Sequence, residues 1–396
     1  MNNNLNLINQ ISKGYNLTAE QFNLITTKYQ SDTRDQNIII KEITNTCDFY
    51  RFQNNLKNII ANTPALPEGK NYYITAFDQN SNFYLQPVSI AVTNPEKSEV
   101  IVDNSFKGYQ KHTQVDDIEI SLCQFGSALG FEIEEEYRVY NANKEKNSIV
   151  IKNIINEDEF YDLENLNKRF FKLINAGKYK KEEWFEKSEQ LKVANTKEDY
   201  VTAIDYGLKI LKSLPSITEE DFKQIEEKYF EMIIYDCLIN QSERNFKDYG
   251  ILCDKETKRY KYAPLFDNAF PSILKNNDIL SFNGITCNRY ELMECLFYNY
   301  YDKIEKKVTY ILNNKDKILN TASMIFKYNL DLNSYNMLIN NIVTNINYFE
   351  RILNEKAIIE RNQQNAGYAD IFHIVLALGI VFAFSFIIAF LLFTTN

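Results

Sequence analysis

Only two histidines, His112 and His373, occur in 396 residues, with one tryptophan, 11 glycines and seven prolines. Two imidazoles argue against a histidine-built metal centre or a histidine-based triad. The glycines never fall in a G-x-G arrangement, so no glycine-rich phosphate loop can be read off the chain. The six cysteines, Cys47, Cys123, Cys237, Cys253, Cys287 and Cys295, form no C-x-x-C pair. Buried free thiols in a reducing compartment are the favoured reading, over disulfides or zinc ligation. Positive charge is in deficit, with a net charge of −9; without a broad basic field, nucleic acid is not expected as a partner. The opening MNNNLNLINQ has neither a basic start nor an apolar run, so no secretory leader is expected there.

What the chain does contain is ordinary globular stock, 45% hydrophobic and 24% charged, in a length that allows two lobes plus appendages. Tyr and Phe, 27 each, together with abundant Asn, fit AT-rich coding rather than any one function. One run stands apart. IFHIVLALGIVFAFSFIIAFLLF, Ile371–Phe393, is 23 residues without a charge, and at about 1.5 Å per residue it exceeds a hydrocarbon core of about 30 Å. It is expected to cross a membrane as one C-terminal helix. Arg351, Lys356 and Arg361 lie upstream and no Lys or Arg follows. That bias predicts a single-pass cell-membrane protein whose N-terminal bulk lies in the cytoplasm.

From Thr18 to Asn62 apolar residues recur at helical spacing, with Thr18 placed as an N-cap, so residues 1–65 read as a helical appendage. The runs NYYITAF, NFYLQPVSIAV and SEVIV read as strands. Ile118, Leu122, Phe125 and Leu129 make a helical stripe that Gly130 stops in the left-handed region, and EEEYRVYN and NSIVIKNII add two more strands. Beyond Glu157 the pattern is mainly helical. Thr218 and Asp221 resemble a capping box opening a helix that runs through Cys237.

The chemistry concentrates in residues 235–270. DYGILC and KRYKYA read as strands joined by DKET. A hairpin returns on itself with its strands about 5 Å apart, so Glu243 and Asp248 are expected to approach Asp267, with an exposed-looking Arg244 between them. Such a group suits Mg²⁺ bridging phosphates, because Mg²⁺ takes hard oxygen ligands, commonly one or two carboxylates plus the phosphates. Solvated turn residues are the competing reading of the same spacing.

LINQSERNFKDYGIL resembles the catalytic loop of HipA-like kinases, related in fold to phosphatidylinositol kinases, whose pattern reads roughly L-I-x-N-x-D-R-H-x-x-N-x-G. YAPLFDNAF is similar to their metal-binding segment, A-P-x-[FY]-D-N-G. The likeness covers roughly residues 70–350. It implies an α+β, bilobal protein-kinase-like fold: a small, mainly β N-lobe with one helix at 66–157 and a larger helical C-lobe at 158–350, followed by a juxtamembrane linker at 351–370 and the transmembrane helix. By position, Glu243 stands for the catalytic Asp, Arg244 matches the Arg and Asn245 replaces the His. Asp248 replaces the metal-binding Asn, Asp267 matches the metal-binding Asp, and Glu119 matches the helix Glu that pairs the ATP-contacting Lys. Asp103 stands where that Lys is sought, leaving Lys107 and Lys111 as the nearby candidates. The resemblance implies ATP and Mg²⁺ as cofactors and phosphoryl transfer to a protein Ser or Thr. Its alternative is a catalytically impaired pseudokinase serving as a tethered scaffold. Lipid phosphorylation is a third reading, for which the one basic concentration, residues 178–187, is interleaved with acids.

Overall fold

The computed structural model describes residues 4–63, 71–77, 83–103, 105–111, 116–140, 146–154, 159–162, 192–244, 248–268, 278–283, 285–359 and 361. The chain divides into two compact units, 1–346 and 347–396. Three helices open the first: α1 (Leu5–Ser12), α2 (Ala19–Tyr29) and α3 (Gln36–Asn62). Thr18 caps α2 in a reciprocal box with Gln21, as its position predicts. The continuous helical pattern over 18–62 is nevertheless two helices. Asp35 accepts from the amides of Asn37 and Ile38 and so starts a new N-terminus. Ile8, Ile25, Tyr29, Ile39, Ile43 and Cys47 form a core shared by these three helices.

A closed antiparallel barrel follows, built from β1 (Asn71–Phe77), β2 (Phe83–Asn94), β3 (Glu99–Val102), β4 (Phe106–Lys111), β5 (Glu136–Tyr140) and β6 (Lys146–Lys152) in the order β1-β2-β3-β4-β6-β5. Its interior holds Val88, Ile90, Val100, Val102, Val139 and Val150. Strand β4 is absent from the hydrophobic pattern because FKGYQK offers few apolar residues. Gly108 shows why the position stays small: a Cβ there would collide with the Ile151 carbonyl oxygen. Between β4 and β5 runs α4 (Asp116–Ala128), whose Ile118, Leu122 and Phe125 are buried, and Gly130 ends the turn at φ 76°.

The remainder is α5 (Lys197–Lys212), α6 (Glu219–Ile239), α7 (Arg289–Asn299), α8 (Tyr301–Asn313), α9 (Lys315–Asn329) and a helix over 332–359, with two small sheets. The hairpin of β10 (Gly250–Cys253) and β11 (Tyr260–Tyr262) forms where DYGILC and KRYKYA predict it, and β7 (Glu159–Asp162) extends it. The second sheet runs β8 (Lys192–Val193), β13 (Ile285–Asn288), β12 (Ile279–Phe282) and β9 (Glu243–Arg244). Thr218 caps α6 by accepting from the Asp221 amide, but the Asp221 carboxylate serves elsewhere, accepting from Arg259 Nε at 2.6 Å.

The α+β class stands, and its membrane-crossing part needs correction. Among the described residues no helix is long and apolar enough to cross a membrane. Residues 371–393, where hydropathy alone predicts that helix, lie outside the described residues. Charge-free length measures transfer into hydrocarbon, and no described helix of this chain meets that measure.

Candidate active site around Arg244

Helix α6 delivers the chain to the site. Its last turns are buried on nearly every side, with Ile233, Ile234, Tyr235, Cys237, Leu238 and Ile239 all at or below 1% exposure. Each buried Ile or Leu among them contributes about 1.5–3 kcal/mol of transfer free energy before entropy is subtracted. Asn240 ends the helix in the left-handed conformation, φ 62°, and Asn345 Nδ2 donates to both the Leu238 carbonyl and Asn240 Oδ1. The chain then enters β9, which pairs in parallel with Ser281 and Phe282 of β12. A strand alternates its faces. Glu243 is therefore exposed and Arg244 buried to 1%.

Arg244 organises everything around it. Its Nε and Nη2 donate to the two carboxylate oxygens of Asp236 at 2.9 and 2.7 Å. Its Nη1 donates to the carbonyls of Asp248 and Phe266, both at 2.9 Å, and Nη2 donates again to Asn268 Oδ1 at 3.0 Å. The planar fork suits this set, since it satisfies a carboxylate bidentately while its remaining N–H groups reach carbonyls. Burial pushes the Asp236 carboxyl above its ordinary value, against the pull of Arg244. Arg244 stays firmly cationic, because Asp236 outweighs its own desolvation. The exposed arginine expected from turn spacing is thus corrected: it is a buried strut, since the parallel pairing of β9 turns it inward.

One guanidinium nitrogen holds the backbone carbonyls of Asp248 and Phe266, so the segments that carry the two metal-ligand candidates, Asp248 and Asp267, meet at Arg244 through their backbones. Asp248 is buried and Asp267 half-buried. Asp267 takes a left-handed φ of 49°, and its carbonyl accepts from Gln241 Nε2 at 3.0 Å. Asp is among the residues that enter that region most readily. Both carboxylates are the hard donors that Mg²⁺ takes, so the residue types fit that ion.

Of the other expected residues, Glu119 is buried in α4 and Lys107 is exposed on β4. Asp103 is not part of a strand but turns between β3 and β4 at φ 47°, where Oδ1 accepts from the Ser89 amide. Lys111 ends β4 with its side chain outside the described residues, as is Asn245 altogether.

Residues that spacing did not single out complete the surroundings. Asn268 is fully buried, and its Nδ2 donates to the Leu265 carbonyl and to Cys123 Sγ. Leu265 pairs with the loop after α4, donating to the Glu132 carbonyl and accepting from the Glu134 amide. Cys123 Sγ and carboxylate oxygens of Glu134 and Glu136, all buried, lie within 4.8 Å of one another. Glu243, Asp248 and Asp267 form no such trio among the described residues. Burial pushes the Cys123 thiol well above its ordinary value, and Glu136, Glu134 and Glu119 add to the shift, so it packs as a neutral thiol. A cavity of about 1520 Å³ opens beside this group, lined by Cys123, Glu134, Glu136, Lys228, Lys307 and Met324 among others. Glu243, Asp248 and Asp267 do not line it. The one signal in the sequence for Cys123 is its place one turn after Glu119, on the same face of α4.

No family model matches the chain, and no curated protein matches it. Among solved structures it is similar to one described as the crystal structure of a Helicobacter pylori proinflammatory kinase CtkA, at 15% identity and a TM-score of 0.47, covering 67% of this chain and 96% of that one.

Proposed function

We propose that the chain is an ATP- and Mg²⁺-dependent phosphotransferase acting on a protein Ser or Thr hydroxyl. The observation that supports this most is the double grip of Arg244 Nη1 on the carbonyls of Asp248 and Phe266. It joins the two segments that resemble a HipA-like catalytic loop and metal-binding segment. Asp248 and Asp267 are the residues to hold Mg²⁺, which when bound neutralises charge on the phosphates. Glu243, exposed at the edge of β9, orients the attacking hydroxyl and accepts its proton. Arg244 touches no substrate in this scheme. It keeps the two acidic segments in register. Lys107 and Lys111, both in β4, remain the candidates for contact with the phosphates, a lysine serving as a point charge on a flexible stem.

The second reading, a catalytically impaired scaffold, draws on two observations. Glu243 is a methylene longer than the aspartate it replaces, and a misplacement of about 1 Å can cost on the order of 10²-fold in rate. Glu243, Asp248 and Asp267 also form no close trio among the described residues. Purified full-length protein with Mg²⁺ and γ-labelled ATP separates the readings. Transfer of label to itself or to added protein, lowered at least about 100-fold in Asp267→Asn, is the result expected of a phosphotransferase. A protein that binds ATP with Mg²⁺ and transfers nothing is the scaffold. One that does neither removes the nucleotide from both accounts.

A further inference from the structure

We infer that Asn268 and Cys123 are positioning residues whose hydrogen bond ties the turn at Asp267 to α4, the helix that carries Glu119. The inference rests on the reading of Asp267 as a metal ligand given above, and it names what sets that ligand's place.

Asn268 follows Asp267 directly and is fully buried. Its amide spends every strong contact on the site: Oδ1 accepts from Arg244 Nη2 at 3.0 Å, and Nδ2 donates to the Leu265 carbonyl at 3.3 Å and to Cys123 Sγ at 3.4 Å. An amide has two N–H donors, and both are used. The three partners come from three parts of the chain: β9, the metal segment itself and α4. The side chain is therefore a joint at which the catalytic strand, the metal turn and the α4 helix meet. Burial keeps the thiol neutral, so it serves as an acceptor and carries no charge into the joint.

Asp267, at φ 49°, lies between two such holds. Gln241 holds its carbonyl from the side of α6. The Asn268 amide holds the next residue from the side of α4. Glu119 and Cys123 are four residues apart and share a helix face. The joint therefore attaches to α4 about one helical turn from Glu119. Partners one step removed from a metal typically change its affinity about 10–100-fold when lost.

The test uses full-length protein and the variants Asn268→Asp, Cys123→Ala and Cys123→Ser, with the ATP-induced rise in melting temperature read as a function of Mg²⁺. Asn268→Asp keeps an oxygen for Arg244 and loses both donations, Cys123→Ala removes the acceptor, and Cys123→Ser restores one. Asn268→Asp and Cys123→Ala are expected to need about tenfold more Mg²⁺ or higher for the half-maximal rise, whereas Cys123→Ser stays near the wild-type midpoint. If Asn268→Asp does not fold, the Cys123 pair carries the comparison alone. Lower melting temperatures with unchanged Mg²⁺ midpoints would mean a purely structural joint and overturn the inference while leaving the metal reading intact. A wild-type protein whose ATP response ignores Mg²⁺ overturns the metal reading of Asp267, and this inference with it.

Discussion

Arg34 and Arg244 each gather oxygens from separate segments, and they do so under opposite conditions. Arg34, in the N-terminal helices, pairs with Asp32 at 2.7 Å and Glu42 at 2.9 Å with half its side chain in solvent. Arg244 pairs with Asp236 at 2.7 Å with its side chain 1% exposed. The difference lies in what water does when the arginine is removed. Around Arg34, water re-solvates both carboxylates, so the pair contributes little. Around Arg244, one carboxylate, two carbonyls and one amide oxygen would lose, in a buried setting, the donor that satisfies them. An ion pair of the same length is thus ornamental in one region and structural in the other.

The largest effect is expected at Arg244. Arg244→Ala should destabilise the protein by about 3–5 kcal/mol in urea unfolding, the cost of stranding a buried charge. Arg244→Lys should recover little of this, because an ammonium cannot grip Asp236 bidentately and still reach both carbonyls. A loss no greater than that of a surface arginine would break the comparison.

An intermediate case sharpens it. Arg138 is buried, pairs with a half-exposed Asp117 at 2.8 Å and donates from Nε to Asn329 Oδ1 at 3.2 Å. Among the described residues its Nη2 has no hydrogen-bond partner. With one partner that water can re-solvate, Arg138→Met should cost about 1–2 kcal/mol by the same measurement.

The smallest effect belongs to Arg34, and its pH dependence identifies the source. Hydrogen bonds from Arg34 lower the carboxyls of Asp32 and Glu42 from their ordinary values. A lowered folded-state value contributes stability that is complete above the unfolded value and disappears as pH falls through the folded one. The gap between wild type and Arg34→Ala, measured at low salt, should persist at neutral pH and close on acidification below about pH 4. A gap that widens in acid would show that the carboxylates are not its cause.

Much of the local structure was legible in the sequence because local structure is what short-range patterns encode. The Thr18 cap, the Gly130 stop, the α4 stripe and the 250–262 hairpin all follow from residues within a turn or two of one another. Strand β4 was not legible, since its pairing with β3 and β6 supplies what FKGYQK lacks in apolar alternation. The break between α2 and α3 needed the Asp35 side chain, whose effect a smooth helical periodicity hides.

The site divides in the same way. Asp248, Asp267 and Glu243 could be singled out as acids flanking a hairpin, but nothing in the spacing of Arg244 said that it would turn inward, and Asn268 and Cys123 lie 145 residues apart. Spacing by itself determined the types of many elements and which carboxylates sit near the turn, because helix periodicity, caps and hairpin closure act over a few residues; the α+β class came with the family resemblance. Only the tertiary structure decided which arginine is dry, which asparagine joins three segments and which strands close the barrel. Burial and long-range hydrogen bonding depend on what the rest of the chain places opposite each group, and no local pattern carries that information.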